Sequence, residues 1–222
     1  MRVLSTGPHH GDALHSYFSQ SRPEVCDLLA GAGLKVLDLG CGGGFVGEEL
    51  KRRGVAAVVH GVEIDPGAAA AAETRLDRVW VADLDGARID FVDPPYDAVI
   101  AADVLEHVRH PERVLGEIVG LLQPGGTLVA SVPNIRFVRV VAPLVLRGRF
   151  EYAESGVLDR THLRFFTRSS LLALLRDGGL VVEEIRRAPM PWRRGWKAMA
   201  ARGLGDFATE QFLVRARPDR GS

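Results

Sequence analysis

Two sets of residues in this chain have the types and spacing to do chemistry. The first is a glycine-rich turn behind an aspartate, Asp38-Leu39-Gly40-Cys41-Gly42-Gly43-Gly44. Glycine admits positive φ and has no side chain to hold a ligand away. At the carboxyl end of an apolar strand, such a turn is a common place to bind a nucleotide-like ligand. Glu63 lies 23 residues beyond Gly40. An acid at the end of a second parallel strand can accept hydrogen bonds from two ribose hydroxyls. Asp83, just past a third strand, could accept from an adenine amino group. The second set is His107 and His162, with Asp159 three positions before the latter. Histidine titrates near neutral pH and suits the work of a general base. A helical turn at 159–162 would put Asp159 and His162 on one face, where the carboxylate could fix the imidazole tautomer. The plainer readings are that His107 braces its helix and that Asp159 and His162 close a turn. A cation site made of Asp159, His162 and Asp103 has no ligand-dense motif behind it, so no metal is expected.

The elements that must position these groups follow from periodicity. Residues 12–20 read as a short helix. Pro23 opens a helix carrying Val25, Leu28 and Leu29, which ends at Gly31 and Gly33. Strands are expected at 35–39, 57–63, 79–82, 97–101 and 127–132. Helices are expected after the glycine turn to Gly54, from Pro66 behind an Asp65 cap to about Leu76, and over Val114–Leu121. Residues 86–96 form a loop and Pro124-Gly125-Gly126 a turn. Beyond Asn134 the pattern changes: an apolar-basic helix at 135–147, an irregular polar-aromatic stretch at 148–166, and a helix from Thr167 to about Gly178. A strand follows at 180–187, then a basic connector at 190–203 and a last strand at 210–217. Strand–helix alternation at this pitch predicts a mostly parallel sheet covered on both faces. Crossovers should be right-handed.

Bulk properties narrow the function classes. The 222 residues are 46% hydrophobic and 25% charged, as in a soluble globular chain of one domain. Lys+Arg and Asp+Glu both number 28, and this balance speaks against a nucleic-acid binder. Cys26 and Cys41 make no disulfide framework, which fits a cytoplasmic protein. No run of about 18 apolar residues would span a membrane. His9, His10 and Asp12 stand where a signal peptide needs apolar residues. Arg136, Arg139, Arg147 and Arg149 could touch a phosphate, as in a sugar nucleotide or phospholipid, although a solvated basic face is the plain reading.

Five motifs in order resemble those of class I S-adenosylmethionine-dependent methyltransferases. They are Val36–Gly44, Gly61-Val62-Glu63, Ala82-Asp83, Tyr96–Ile100 with Asp103–His107, and Leu122–Leu128. The stretches 148–152, 156–159 and 161–167 resemble a bacterial branch that acts on small molecules, and the first half resembles the ubiquinone-pathway O-methyltransferases. The resemblance implies a Rossmann-like, seven-stranded, mostly parallel α/β sheet with helices on both faces and the last strand antiparallel. It implies one domain over 1–222, with 1–22 as a cap and 134–167 as an acceptor-side insertion. It implies S-adenosylmethionine as cofactor. Gly40 and Gly42 would let the backbone approach its methionine part, and Asp38 would orient the turn and the amino group. Glu63 would hold the ribose, Ile64 would pack on the adenine and Asp83 would bind its amino group. Ala101 and Ala102 would accept from the methionine amine, with Cys41 and Leu84 also lining the cofactor. His107, His162 and Asp159 are then the catalytic candidates. The expected reaction is methyl transfer to a small-molecule acceptor, a sugar, lipid or secondary metabolite, at a hydroxyl oxygen. N- or C-methylation and a non-catalytic binding module are the alternatives. A monomer or homodimer is expected.

Two competing patterns fail on position. Asp93-Pro94-Pro95-Tyr96 spells the active-site tetrapeptide of amino-methyltransferases, but it precedes strand four instead of following it. A nicotinamide-binding turn wants Gly-x-Gly-x-x-Gly, and Phe45 stands at the third glycine position.

Overall fold

The computed structural model describes residues 21–86, 88–188 and 205–219. The expected helix at 12–20 and the connector at 190–203 lie outside the described residues.

The alternating pattern resolves into helices α1 (Pro23–Cys26), α2 (Phe45–Arg52), α3 (Pro66–Ala72), α4 (Pro111–Leu121), α5 (Val138–Arg147) and α6 (Arg168–Asp177). The strands are β1 (Leu34–Leu39), β2 (Ala56–Glu63), β3 (Arg78–Val81), β4 (Tyr96–Ala102), β5 (Leu122–Pro133), β6 (Leu180–Arg187) and β7 (Gln211–Pro218). A 3₁₀ turn, Gly205–Ala208, precedes β7. One sheet runs β3-β2-β1-β4-β5-β7-β6. The pairs from β3 through β5 are parallel, and β7 runs against both β5 and β6. Six strands therefore share a direction and β7 opposes them, as the motif pattern implied.

The central strands are apolar on both faces because both faces are covered. Leu37, Leu39, Val99 and Ala101 pack with Val114, Leu115 and Ile118 of α4 and Leu171 and Leu175 of α6. The alternate positions Val36, Ala98 and Ile100 pack with Val25 of α1, Val46 and Leu50 of α2 and Ala72 of α3. Period-two alternation thus sorts one strand's side chains into two cores. From β1 the order runs outward to β2 on one side and to β4 on the other. This reversal opens a crevice at the carboxyl ends of the strands.

Local chemistry set several boundaries as expected. Asp65 caps α3, its Oδ1 accepting from Ala68 N at 2.7 Å. Thr167 and Ser170 form a capping box at the start of α6. Other boundaries shifted. The first helix is one turn, Pro23–Cys26, after which Leu28 and Leu29 donate to carbonyls three residues back. Helix α3 ends at Ala72, where the Thr74 hydroxyl (2.7 Å) and Arg75 (2.9 Å) claim the carbonyl of Ala71. Pro124–Gly126 does not separate helix from strand but sits inside β5 as a bulge. Tyr96 pairs with Leu122 and Ala98 with Thr127, so the extra residues loop out within one ladder. Asp93–Pro95 lie ahead of β4 and Tyr96 opens it, at the end opposite the glycine turn. Tyr96 is buried there, its hydroxyl 2.9 Å from His60 Nδ1.

Candidate active site

The glycine turn is pinned to the end of β2. Gly40 N and Cys41 N both donate to the carbonyl of Val62, at 2.8 and 3.1 Å. Gly40, Gly42 and Gly44 take φ of +66°, +53° and +82°. At Gly40 a Cβ would lie 2.8 Å from the Val104 side-chain methyl Cγ2, so this methyl and the positive φ together disfavour any other residue. Glu63 is buried and already employed. Its Oε2 accepts from Gly42 N at 2.8 Å, and its Oε1 from Ile64 N and Asp65 N at 2.8 and 3.0 Å. It therefore ties the turn to the end of β2, and Oε2 keeps capacity for one more donor.

Asp38 sits beneath the turn, 2% exposed, and its Oδ2 has no partner among the described residues. Burial, then the neighbouring Glu63, push its carboxyl up to about 7, against the pull of Arg22. A cationic ligand group would satisfy that oxygen and restore its charge. Beyond β2, Ile64 and Val81 are 62% and 58% exposed, an apolar pair beside exposed Asp83 and half-buried Leu84. Asp83 Oδ1 accepts from Asp85 N at 2.8 Å. Cys41 is buried, and burial followed by Asp38 and Glu63 raises its thiol, so it is filler and no nucleophile. Ala101 and Ala102 end β4, the first buried and the second half-buried.

Directly after β4, Asp103 takes a left-handed φ of +57°. Its side chain holds it there. Oδ1 accepts from Ser131 Oγ at 2.7 Å and from Gln211 Nε2, and Oδ2 pairs with Arg22. Arg22 also reaches Gln211 Oε1 at 3.1 Å and Ser131 Oγ at 3.3 Å. Burial works against the guanidinium charge, but Asp103 and Glu24 outweigh it and raise its pKa. Arg22 thus bolts the start of α1 to β4, β5 and β7. Sequence reasoning missed it, and the one signal was an arginine immediately ahead of a helix-opening proline.

The two histidines meet. The rings of His107 and His162 have centroids 4.8 Å apart at 71°. His162 is buried, and its Nδ1 lies 3.1 Å from the carbonyl of Val157. A carbonyl only accepts, so Nδ1 carries the proton and Nε2 is left bare as an acceptor. His107 Nδ1 likewise lies 3.3 Å from the carbonyl of Thr161. Burial, then His162, hold His107 below its ordinary value. Behind both rings Glu106 is fully buried, and neither carboxylate oxygen has a partner among the described residues. Burial, then Asp103, raise it well above the usual carboxylate range. Sequence reasoning passed over Glu106 as well.

One expectation is corrected. His162 N donates to the Asp159 carbonyl at 3.1 Å and closes a turn, as in the plainer reading, but the segment is no helix, and the His162 ring makes no hydrogen bond with Asp159. Its Oδ1 accepts from Thr161 N at 2.8 Å and Thr161 Oγ1 at 2.6 Å. Val157 fixes the His162 tautomer, and Asp159 acts on the other histidine, through Thr161. Asp103 is likewise taken by Arg22 and is no partner for His162 in a cation site. Glu106, His107 and His162 can each present one atom to a shared centre, with those atoms within 4.8 Å of one another. Asn134, where the sequence pattern changes, closes this side. Its Nδ2 donates to the carbonyls of Asp206 and Thr209, both at 2.7 Å, and its Oδ1 accepts from Arg136 N at 3.0 Å. A hollow of about 720 Å³ lies elsewhere, between the β3–β4 loop and α4, lined by Arg88, Pro94, Gly116 and Gly120 and by none of the site residues.

Residues 14–185 match the family model described as a methyltransferase domain. A ubiquinone biosynthesis O-methyltransferase of Maricaulis maris is 32% identical over 190 residues, covering 76% of this chain and 68% of the relative. One from Shewanella is 29% identical over 170 residues, covering 73% and 71%. Among solved structures, an S-adenosylmethionine-dependent methyltransferase from Mesorhizobium loti superposes with a TM-score of 0.64 at 20% identity, covering 90% of this chain and 98% of that one. A TehB-like methyltransferase from Corynebacterium glutamicum does so at 0.60 and 19%, covering 94% of each. These two establish the fold. The chain belongs to the methyltransferase-domain family, and S-adenosylmethionine is its methyl donor.

Proposed function

We propose that this chain methylates a hydroxyl oxygen of a small-molecule acceptor, with His162 Nε2 as the proton acceptor and His107 beside it. The observation that carries this reading is the Val157 carbonyl on His162 Nδ1, which leaves a bare imidazole nitrogen beside a second histidine. S-adenosylmethionine supplies a methyl group already activated on a sulfonium. The residues fit it on three counts: the side-chain-free turn at Gly40 and Gly42, the unpartnered Asp38 Oδ2, and the exposed apolar face at Ile64. In this reading Asp38 meets the methionine ammonium, and the carbonyls of Ala101 and Ala102 accept from the same amine. Glu63 receives one ribose hydroxyl at Oε2, Asp83 an adenine amino group, and Cys41 and Leu84 line the cavity.

The chain's own work on the acceptor is to place its oxygen, keep water out and take up a proton. His162 holds the incoming proton at Nε2, while Asp159 steadies His107 through Thr161. The stretch 134–167 forms the acceptor side. The oxygen preference draws support from relatives named as O-methyltransferases. A reducing, cytoplasmic setting fits two free, buried cysteines, and no described helix is long and apolar enough to cross a membrane.

Labelled-methyl turnover against matched phenol, alcohol and amine acceptors tests the reading. Label on oxygen supports it. Label on nitrogen from an acceptor without hydroxyls overturns the oxygen assignment. Tight S-adenosylhomocysteine binding with no turnover on any acceptor points to a binding module. Unpartnered Glu106 favours a second reading, in which Glu106, His107 and His162 hold a divalent cation that binds the acceptor hydroxyl. Turnover lost on chelation and restored by a divalent cation would select it.

A further inference from the structure

Among the described residues, two non-glycines take a left-handed φ, Arg22 at +42° and Asp103 at +57°, and their side chains pair with one another. A residue with a Cβ persists in that region only where its surroundings over-determine it. At Asp103 they do. Its N–H donates to the carbonyl and to the hydroxyl oxygen of Ser131, both at 3.1 Å. Its Oδ1 accepts from the Ser131 hydroxyl and from Gln211 Nε2, and its Oδ2 accepts from Arg22. Ser131 is fully buried in β5, Gln211 opens β7, and Arg22 caps α1. Three elements remote in the chain thus close on one residue.

What the turn at Asp103 carries touches both halves of the site. Val104 is buried, and one of its methyls sits over Gly40 in the glycine turn. His107 N donates to the carbonyl of Val104 at 3.0 Å, so the chain closes a turn directly behind Asp103. The carbonyl of Glu106 accepts from Leu163 N and Arg164 N at 2.8 and 3.0 Å, which ties that turn to the segment bearing His162. A change of φ at Asp103 would swing all of these groups together. Displacing a group at a reacting centre by about 1 Å can cost on the order of a hundredfold in rate. Glycine could adopt the same φ without a clasp, but nothing would confine it there. An aspartate with three partners is confined.

We infer that Asp103 is a positioning residue, whose clasped left-handed turn seats Val104 on the glycine turn and brings His107 to His162. The inference rests on the proposed function only in taking His107 to face the acceptor. Three variants test it. Asp103→Ala loses the clasp and forces a Cβ into the left-handed region, whereas Asp103→Gly loses the clasp and admits that φ. Asp103→Asn keeps an Oδ1 acceptor and tolerates the conformation. Each is assayed well below its melting temperature, where a merely structural role leaves kcat unchanged. Expected losses in kcat are about a hundredfold for Asp103→Ala, about tenfold for Asp103→Gly and about threefold for Asp103→Asn, at nearly constant KM for the acceptor. Affinity for S-adenosylhomocysteine should fall about tenfold in Asp103→Ala, through Val104, and recover in Asp103→Gly. Gln211→Met should cost about fivefold in kcat alone and nothing further in the Asp103→Gly background, where its contact is already gone. That pair carries the comparison if Asp103→Ala does not fold. Equal losses in Asp103→Ala and Asp103→Gly overturn the inference, and so does a Gln211→Met effect that persists beside Asp103→Gly. His162→Gln, run in parallel, separates the two claims. An unchanged kcat there unseats the proton acceptor, while the order of the Asp103 variants and their cofactor affinities still decide the role of Asp103.

Discussion

Residues 38–65 make their half of the site from backbone and near-neighbour contacts, whereas residues 103–107 and 157–164 make theirs from side chains that meet across long loops. In the first half, Gly42 and Glu63 are held through the N–H of one and the carboxylate of the other, and the turn is tied to Val62 by two backbone bonds. In the second, His107 meets Thr161 across 54 positions and Arg22 meets Asp103 across 81. A backbone-built half tolerates no new side chain and is indifferent to many of those it has. A side-chain-built half is the reverse. It can be retuned one residue at a time, which suits a fold that keeps one methyl donor and changes acceptors.

The strongest way to break this contrast is at the turn. Gly42→Val places a β-branched residue at φ +53° beside the bond to Glu63. Strain and lost backbone approach should together cost about 4 kcal/mol of cofactor binding, near a thousandfold. Calorimetry with S-adenosylhomocysteine reads this directly, and a melting curve confirms that the variant is folded. Near-normal affinity would mean that the backbone does not build the cofactor half.

On the acceptor side, His162→Gln should leave cofactor affinity unchanged and lower kcat by about a hundredfold, roughly 3 kcal/mol. His107→Gln should cost less, because its carbonyl contact is longer, at 3.3 Å against 3.1 Å for His162. If both variants weaken S-adenosylhomocysteine binding and spare kcat, the two halves are not separate.

Asp38 is where the halves differ in charge. Its folded pKa of about 7 lies above the ordinary 3.8, so the folded chain binds this proton more tightly than the unfolded one. The group therefore stabilises the fold below about pH 4, and that contribution is lost as pH climbs through about 7. Asp38→Asn stays neutral throughout. Relative to wild type it should gain on the order of 4 kcal/mol between pH 4 and pH 8 in urea unfolding, while binding the cofactor more weakly. Wild-type binding near pH 7 should also release a proton, visible as a dependence of binding heat on the buffer. A flat difference between variant and wild type would mean that Asp38 is ionised and satisfied without a ligand.

What could be read from sequence follows the same division. The turn at Gly40–Gly44, the Asp65 and Thr167 caps and strand β6 are set by residues a few positions apart, and their types announce them. The order of the five motifs carried the sheet. Arg22, Gln211 and Glu106 left no such trace, since what makes them matter is a meeting that only the folded sheet brings about. The Asp159–His162 pairing was conditional on a helical turn, and the turn that forms leaves the carboxylate on Thr161 instead of the ring. The chain there is an irregular turn, where the same spacing carries no common face.

That contact with Thr161 yields the mildest test. Asp159→Asn keeps the side chain's size and its oxygen acceptor, but weakens the short bond from the Thr161 hydroxyl, 2.6 Å in the wild type. Thr161 would then hold His107 less firmly, while His162, fixed by Val157, would keep its tautomer. The expected loss is about 1 kcal/mol, a fivefold to tenfold fall in kcat with little change in KM. Thr161→Val should reproduce it, and the pair of changes together should add little to either alone, because both act through one contact. A hundredfold loss in Asp159→Asn would instead place the carboxylate against the acceptor. In that case the acceptor half would not rest on the histidine pair alone.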